Sequence, residues 1–188
     1  MQAAPCSCFD MKRYILTGAP GAGKTAILRH LELDGYGVVE EAATDIIALE
    51  QAQGVAEPWS RTSFIDAIVN LQRDRQLRAA RLTDGLQFFD RSPICTYALA
   101  KYLGYPSSAA LSREIERIER ERIYQRKVFF IQTLGFITAT AARKITPEDA
   151  LRFERVHEET YLAFDYQIIP IAAGPLPERI ANIKKAIN

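Results

Sequence analysis

The chain has 188 residues, enough for one compact domain, and its 48% hydrophobic and 25% charged residues are typical of a folded globular protein. The 24 Lys and Arg balance 23 Asp and Glu, and the net charge of +1 argues against a nucleic-acid or anionic-membrane partner. No run of about 20 apolar residues predicts a transmembrane helix, and the first ten residues do not resemble a secretory signal.

Five short β-branched or aromatic runs alternate along the chain with longer helical patterns. Short apolar runs that can be buried on both faces predict parallel strands, here at 13–17, 36–40, 86–90, 127–132 and 166–171. The helical patterns cover 24–33, 42–53, 62–82, 94–103, 107–125, 147–164 and 177–187. This alternation predicts an open α/β sheet with helices on both faces.

Cysteine content and the termini predict an intracellular protein of one domain. The 3 cysteines cannot all pair with one another, as is typical of a reducing compartment, and we expect a cytoplasmic protein. Residues 1–11 are expected to form a flexible leader, and residues 12–188 a single domain. The leader carries Cys6 and Cys8, which lack a second Cys or His pair to complete a four-ligand metal site. Cys95 lies in an apolar helical pattern, where we expect a buried thiol.

The most informative motif runs from Gly18 to Thr25, because GAPGAGKT fits the phosphate-loop pattern G-x-x-x-x-G-K-[ST] between a strand and a helix. Its glycines let backbone amides converge on phosphate oxygens, and the helix start adds unpaired N–H donors. We expect Lys24 to contact the β- and γ-phosphates of ATP, and Thr25 to offer its hydroxyl to Mg²⁺. The predicted phosphate-binding residues are Gly18, Ala19, Pro20, Gly21, Ala22, Gly23, Lys24 and Thr25.

Charged residues follow the second and third predicted strands, at the carboxyl edge where open α/β sheets bind ligands. Asp90 ends LQFFD and is predicted to hold Mg²⁺, while Arg91 suits phosphate binding. The alternative is that Asp90 caps the helix that Pro93 opens. Glu41 follows YGVVE and is predicted to accept the proton of an attacking hydroxyl. Its alternative is a first-turn acid that serves the helix dipole.

The helical pattern at 62–82 has apolar residues near one face and four arginines farther along, which are Arg73, Arg75, Arg78 and Arg81. Core packing explains the apolar residues. For the arginines, a solvated face is favoured over substrate binding. Trp59, just before this helix, is expected to pack rather than to supply a stacking wall for a substrate.

A segment of small residues with two cations follows the fourth predicted strand. Gly135 and the TATAA run make it pliable, and Arg143 and Lys144 come next. We expect a lid at 136–152, since phosphoryl transfer needs water excluded and a cation on the transferred group. The alternative is a surface loop whose cations only aid solubility.

The combination of GAPGAGKT, VVEEAATD and FFDRSP resembles the P-loop kinase lineage that contains deoxynucleoside kinases and nicotinamide riboside kinases. It is most similar to the predicted ATPase/kinase domain family called AAA_28 or NadR-like. The resemblance implies that Glu41 orients or deprotonates an acceptor, that Asp90 and Arg91 form the family's acid–arginine pair, and that Arg143 closes on the phosphoryl group. Thr44 stands where the family often has an arginine.

These observations predict a P-loop NTPase three-layer sandwich with a five-stranded, mainly parallel sheet in the order 2-3-1-4-5. The predicted catalytic residues are Lys24, Glu41, Asp90, Arg91 and Arg143, with Thr25 and Asp90 as metal ligands. The predicted function is an ATP- and Mg²⁺-dependent kinase for a small molecule of nucleoside or nucleotide-precursor type. The alternative is an ATPase or a nucleotide-dependent regulatory module without an acceptor. A small-molecule acceptor is the expected partner, neither membrane nor nucleic acid is expected, and a homodimer stays open.

Overall fold

The structure is a computed structural model that describes residues 11–81, 85–133 and 147–187. Among these residues the sheet has five strands, β1 (Lys12–Thr17), β2 (Gly37–Val39), β3 (Leu86–Asp90), β4 (Lys127–Ile131) and β5 (Gln167–Ile171). Their spatial order is β2-β3-β1-β4-β5, and all four pairings are parallel. The predicted strands and their predicted order are therefore confirmed.

Helices connect these strands. In chain order they are α1 (Lys24–Leu33), α2 (Ala42–Ala52), a short 3-10 helix (Pro58–Ser60), α3 (Ser63–Ala79), α4 (Pro93–Leu103), α5 (Ala109–Arg120), α6 (Pro147–Ala163) and α7 (Leu176–Ile187). The sequence pattern does not predict the 3-10 helix. Within the three described ranges, no helix combines the length and the apolar character that crossing a bilayer requires.

Helix α5 ends before its predicted end at 125 because the chain turns sharply after Glu121. Arg122 adopts a left-handed backbone with φ of 49°. The N–H of Ile123 then donates to the carbonyl of Ile118 at 3.0 Å, which is the long bond of a Schellman motif. This bond satisfies a carbonyl at the end of the helix. Helix α5 therefore stops at Arg120, although the helical pattern of the sequence continues to 125.

The two faces of the sheet pack against different helices. Ile15 and Phe89 belong to one cluster, which includes buried residues of α3, α4 and α5. Leu16 and Phe88 belong to the opposite cluster, with buried residues of α1 and α7. Successive strand residues point to opposite faces, so each short strand supplies both clusters. The result is a three-layer α/β sandwich, as the sequence predicts.

Parallel pairing brings the carboxyl ends of β1, β2 and β3 to the same edge of the sheet. Leu16 of β1 is level with Asp90 of β3, and Val39 of β2 is level with Phe89. The segments that leave these strand ends begin side by side, so residues distant in the sequence meet at this edge.

Candidate active site

The loop of residues 18–25, called the phosphate loop below, joins β1 to α1 and depends on glycine. Gly18 has φ of 126°, and a Cβ built on it would lie 2.2 Å from the carbonyl oxygen of Ile131. Only a residue without a side chain fits such a close approach of two backbones. Gly21 and Gly23 also have positive φ, at 81° and 86°. These three residues turn the chain between the sheet and the helix.

Lys24 lies folded back along this loop and is only 6% exposed. Its Nζ donates to the carbonyls of Gly18 at 3.2 Å and Ala19 at 2.9 Å. Gly23 is the N-cap of α1 and supplies no side-chain cap to the first N–H groups of the helix. Uncapped amides, the positive end of a helix dipole and an ammonium group together form an environment that suits a polyanion.

Asp90 is the last residue of β3 and Arg91 follows it, beside the phosphate loop. Asp90 is 5% exposed. The backbone N–H of Arg91 donates to the carbonyl of Leu16 at 3.0 Å, which ties the end of β3 to β1. The N-cap of α4 is Ser92, so the alternative that Asp90 caps this helix is wrong. Arg91 has φ of 72°, a left-handed conformation that is uncommon for a residue with a side chain and frequent at functional sites.

Arg91 brings Glu41 to the phosphate loop. Its Nε donates to Oε1 of Glu41 at 2.6 Å, and its Nη2 donates to the carbonyl of Gly18 at 3.2 Å. The two side chains are 8% and 15% exposed. Burial opposes the charge of Arg91, but the nearby carboxylates of Glu41 and Asp90 raise its pKa above the ordinary value. A shielded, hydrogen-bonded ion pair of this kind holds both side chains in fixed positions.

Thr44 also contacts the Glu41 carboxylate. Its hydroxyl donates to Oε2 of Glu41 at 2.7 Å, one turn into α2. Glu41 occupies the N-cap of α2, yet it makes no side-chain cap bond to that helix. The threonine that replaces the family's frequent arginine therefore orients the predicted base. The N-cap position also places this negative charge at the positive end of the α2 dipole, so the alternative of an acid that serves the dipole stays open.

A pocket of about 610 Å³ opens beside this ion pair, between α2, α3, α4 and α6, and it is called the helical pocket below. Both residues of the ion pair line part of it, together with Pro20, which belongs to the phosphate loop. Most of the remaining wall is apolar or aromatic, including Ile47, Trp59, Phe64, Ile68, Leu99, Leu103, Tyr102 and Phe153. Trp59 thus packs against neighbours, as expected, and also lines the pocket. A largely apolar cleft with a few fixed polar groups is the usual form of a small-molecule site.

Two polar side chains inside the helical pocket are fixed by each other. Thr96 of α4 donates from its hydroxyl to Oε1 of Gln72 of α3 at 2.8 Å, and both are buried. This bond leaves the amide group of Gln72 as a donor on the pocket wall. The sequence does not single out either residue, because their meeting depends on how α3 and α4 face each other.

His157 of α6 lies at the pocket wall as a neutral imidazole. It is 1% exposed, and its Nδ1 lies 2.9 Å from the carbonyl of Phe153, which requires a hydrogen on that nitrogen. Its Nε2 is buried and has no hydrogen-bond partner among the described residues. Burial first, and then the charge of Arg91, lower the pKa of His157 to about 3. The imidazole is therefore uncharged at neutral pH.

Glu154 of α6 lies near the phosphate loop. The backbone of Ala19 and the charge of Lys24 both favour the ionised form of its carboxyl group and so lower its pKa. Oε1 of Glu154 is buried without a hydrogen-bond partner in the described part of the chain. Burial raises the pKa of this carboxyl group despite both favourable contacts. The sequence does not single out Glu154, because a helical pattern does not show which element the helix packs against.

The residues present fit ATP and Mg²⁺. In the described ranges, no group of three or more His, Cys, Asp or Glu residues forms a metal cage. Mg²⁺ usually takes one or two carboxylates plus phosphate oxygens and waters, so Thr25 and Asp90 beside a bound triphosphate suit it. Thr25 is exposed at the start of α1, where its hydroxyl is accessible. Arg143 and the predicted lid up to 146 lie outside the described residues, while 147–152 form the start of α6.

Comparisons with known proteins agree with this fold. Residues 13–179 match the sequence model of the AAA domain family AAA_28, and the chain belongs to that family. No curated protein matches the chain significantly. Its structure is similar to NadR in complex with NAD and AMP-PNP, with a TM-score of 0.65 and 17% identity, over 93% of this chain and 49% of NadR.

Two further solved structures are similar. NadR in complex with NR has a TM-score of 0.66 and 18% identity, over 93% of this chain and 51% of NadR. Deoxyadenosine kinase from M. mycoides with bound dATP has a TM-score of 0.60 and 18% identity, over 94% of this chain and 99% of the kinase. The chain thus spans about half the length of NadR, and at such identities the likeness shows a common P-loop kinase fold.

Proposed function

We propose that this AAA_28 family member is an ATP- and Mg²⁺-dependent kinase that phosphorylates a hydroxyl of a small, unphosphorylated molecule of nucleoside type. The observation that carries the proposal is the contact that joins the phosphate loop to the helical pocket. Arg91 bonds both Gly18 of the phosphate loop and Glu41 of the helical pocket. An enzyme that only hydrolyses ATP has no use for a large apolar pocket at that position.

The charges in the helical pocket favour an unphosphorylated acceptor. Arg91 is the one arginine or lysine among the described residues that line it, and Glu41 already pairs with it. Glu57 and Asp149 line the same pocket, and His157 is neutral. A phosphate group on the acceptor would lie near carboxylates and not near an unpaired cation, which would weaken its binding. The names of two structural relatives, deoxyadenosine kinase and NadR with NR, agree with a nucleoside-type acceptor.

The proposed reaction uses groups that the site already holds. Glu41 accepts the proton of the acceptor hydroxyl while the oxygen of that hydroxyl bonds to the γ-phosphorus. The bond between the γ-phosphorus and the bridging oxygen breaks, and ADP leaves with the electron pair. Lys24 neutralises the phosphate oxygens, and we expect Arg143 to assist. Mg²⁺, held by Thr25 and Asp90, supplies further charge neutralisation when it is bound.

A panel of nucleosides and their 5′-monophosphates tests this function. With ATP and Mg²⁺, at least one nucleoside gains 80 Da by mass spectrometry, and its monophosphate is a poorer acceptor. Glu41→Gln lowers turnover by about 100-fold or more, because the proton acceptor is lost. The exposed neighbour Glu40→Gln is the matched control and keeps most of the turnover. ATP hydrolysis that no acceptor accelerates would contradict the proposal and favour an ATPase or a regulatory module.

A further inference from the structure

We propose that Arg75 is a positioning residue for Glu41, holding the backbone at the junction of β2 and α2 so that the Glu41 carboxylate reaches the acceptor hydroxyl. This inference rests on the proposed function of Glu41. It also corrects the expectation that the arginines of α3 only form a solvated face.

The contacts of Arg75 are specific. Its Nη1 donates to the carbonyl of Glu40 at 3.0 Å and to the carbonyl of Glu41 at 2.9 Å. Its Nη2 donates to Oδ2 of Asp45 in the first turn of α2. The Arg75 side chain is 22% exposed. One planar guanidinium group therefore binds the last residues before α2 and the first turn of that helix together.

The junction needs such support because the sheet provides little. Strand β2 has three residues, Gly37–Val39, and within the described part of the chain it pairs only with β3, at the edge of the sheet. Its pairing ends at Val39, so Glu40 and Glu41 lie beyond the ladder. Without a contact from α3, the position of Glu41 would depend mainly on its own side chain.

At least three separate contacts therefore hold Glu41 among the described residues. Arg91 bonds one carboxylate oxygen, Thr44 bonds the other, and Arg75 bonds the carbonyl. Arg75 also links α3 to the start of α2, and both helices line the helical pocket; α3 contributes Gln72, one turn before Arg75. A displacement of about 1 Å at a proton acceptor can cost roughly 100-fold in rate, so a backbone contact is enough to matter.

Arg75→Ala and Arg75→Lys test this role, with Arg78→Ala as the matched control on an exposed part of the same helix. With the acceptor found for the wild type, Arg75→Ala lowers kcat about 10- to 100-fold and leaves the Kd for ATP unchanged. Arg75→Lys recovers part of kcat, because an ammonium group bonds the carbonyls but cannot reproduce the planar fork. Arg78→Ala behaves as wild type.

A double-mutant cycle separates positioning from a general effect on the fold. In a Glu41→Gln background, Arg75→Ala changes kcat less than about threefold, because Glu41 no longer accepts a proton. Equal losses of kcat in both backgrounds, or no loss in the wild-type background, would overturn the inference.

Hydrogen exchange gives a result even without an acceptor. Arg75→Ala speeds exchange of the backbone amides in residues 40–46, whereas Arg78→Ala does not. If the wild type phosphorylates no acceptor, the proposed function fails, and unchanged exchange in Arg75→Ala would separately overturn the positioning role.

Discussion

The phosphate loop and the helical pocket lie on either side of the pair formed by Glu41 and Arg91, and they are built differently. The loop consists of main chain, with glycine at three positive-φ positions and a lysine bonded to two loop carbonyls. The pocket consists of side chains from four helices that are far apart in the sequence. A backbone site requires a particular sequence, whereas a side-chain site requires only that several helices face one another correctly.

The first prediction tests whether the loop tolerates any side chain. Gly18→Ala lowers the free energy of unfolding by about 3 kcal/mol or more, because the new methyl group meets the Ile131 carbonyl in a left-handed conformation. Gly35→Ala is the matched control, since Gly35 also has positive φ, at 88°, but has open space around it. It costs about 1 kcal/mol. Urea unfolding measures both, and equal losses would mean that the close approach is not limiting.

The second prediction separates nucleotide binding from pocket function. Lys24→Ala weakens ATP binding roughly 10- to 100-fold, since it removes a charged donor from the phosphate oxygens. Lys101→Ala, an exposed lysine on α4, is the matched control and leaves the Kd unchanged. Calorimetry with ATP and Mg²⁺ measures both. An unaltered Kd in Lys24→Ala would show that this lysine serves the loop structure alone.

The third prediction concerns His157 at the pocket wall and the pH dependence of the free energy of unfolding. The pKa of His157 is lowered to about 3 in the folded protein by burial, and the usual value in an unfolded chain is about 6.5. Between these values only the unfolded chain binds the proton. This group's stabilisation is therefore complete above pH 6.5, and it is lost as the pH falls, by up to about 1.4 kcal/mol for each pH unit.

Urea unfolding between pH 7 and pH 5 measures this loss. His157→Gln flattens the slope of unfolding free energy against pH, because the titrating group is gone. His30→Gln, at the partly exposed histidine of α1, is the control and keeps most of the slope. A slope in His157→Gln equal to that of the wild type would contradict the account.

The smallest predicted effect joins the two regions. Glu154→Gln tightens ATP binding about threefold, because a carboxylate against Ala19 repels an incoming triphosphate and the amide does not. Glu158→Gln, exposed on the same helix, is the matched control and changes the Kd less. Weaker ATP binding in Glu154→Gln would mean that the carboxylate assists the nucleotide instead.

The sequence predicts the loop and the sheet well because their signals are local. GAPGAGKT lies within eight consecutive residues, and each strand is a contiguous apolar run. Glu41 and Asp90 can be located as well, since parallel strands place their carboxyl ends at one edge. The geometry around them agrees with the predicted roles, and those roles remain predictions until variants are measured.

The contacts that sequence reasoning misses all join a helix to an element that is distant from it in the sequence. Arg75 on α3 bonds the start of α2, Thr96 on α4 bonds Gln72 on α3, and Glu154 on α6 contacts the phosphate loop. Helical periodicity indicates which residues share a face of one helix, but not which neighbour that face meets. An arginine near the end of an amphipathic helix therefore looks the same whether it is solvated or bonds a neighbouring backbone.

The fate of the γ-phosphoryl group tests the central claim most directly. ATP labelled at the γ-phosphorus is incubated with the protein, Mg²⁺ and a panel of nucleosides, and the products are separated by chromatography. The account predicts that the label moves to an organic phosphate ester in the wild type, and that Glu41→Gln greatly reduces this transfer. Recovery of the label only as inorganic phosphate, or as unchanged ATP, would contradict it.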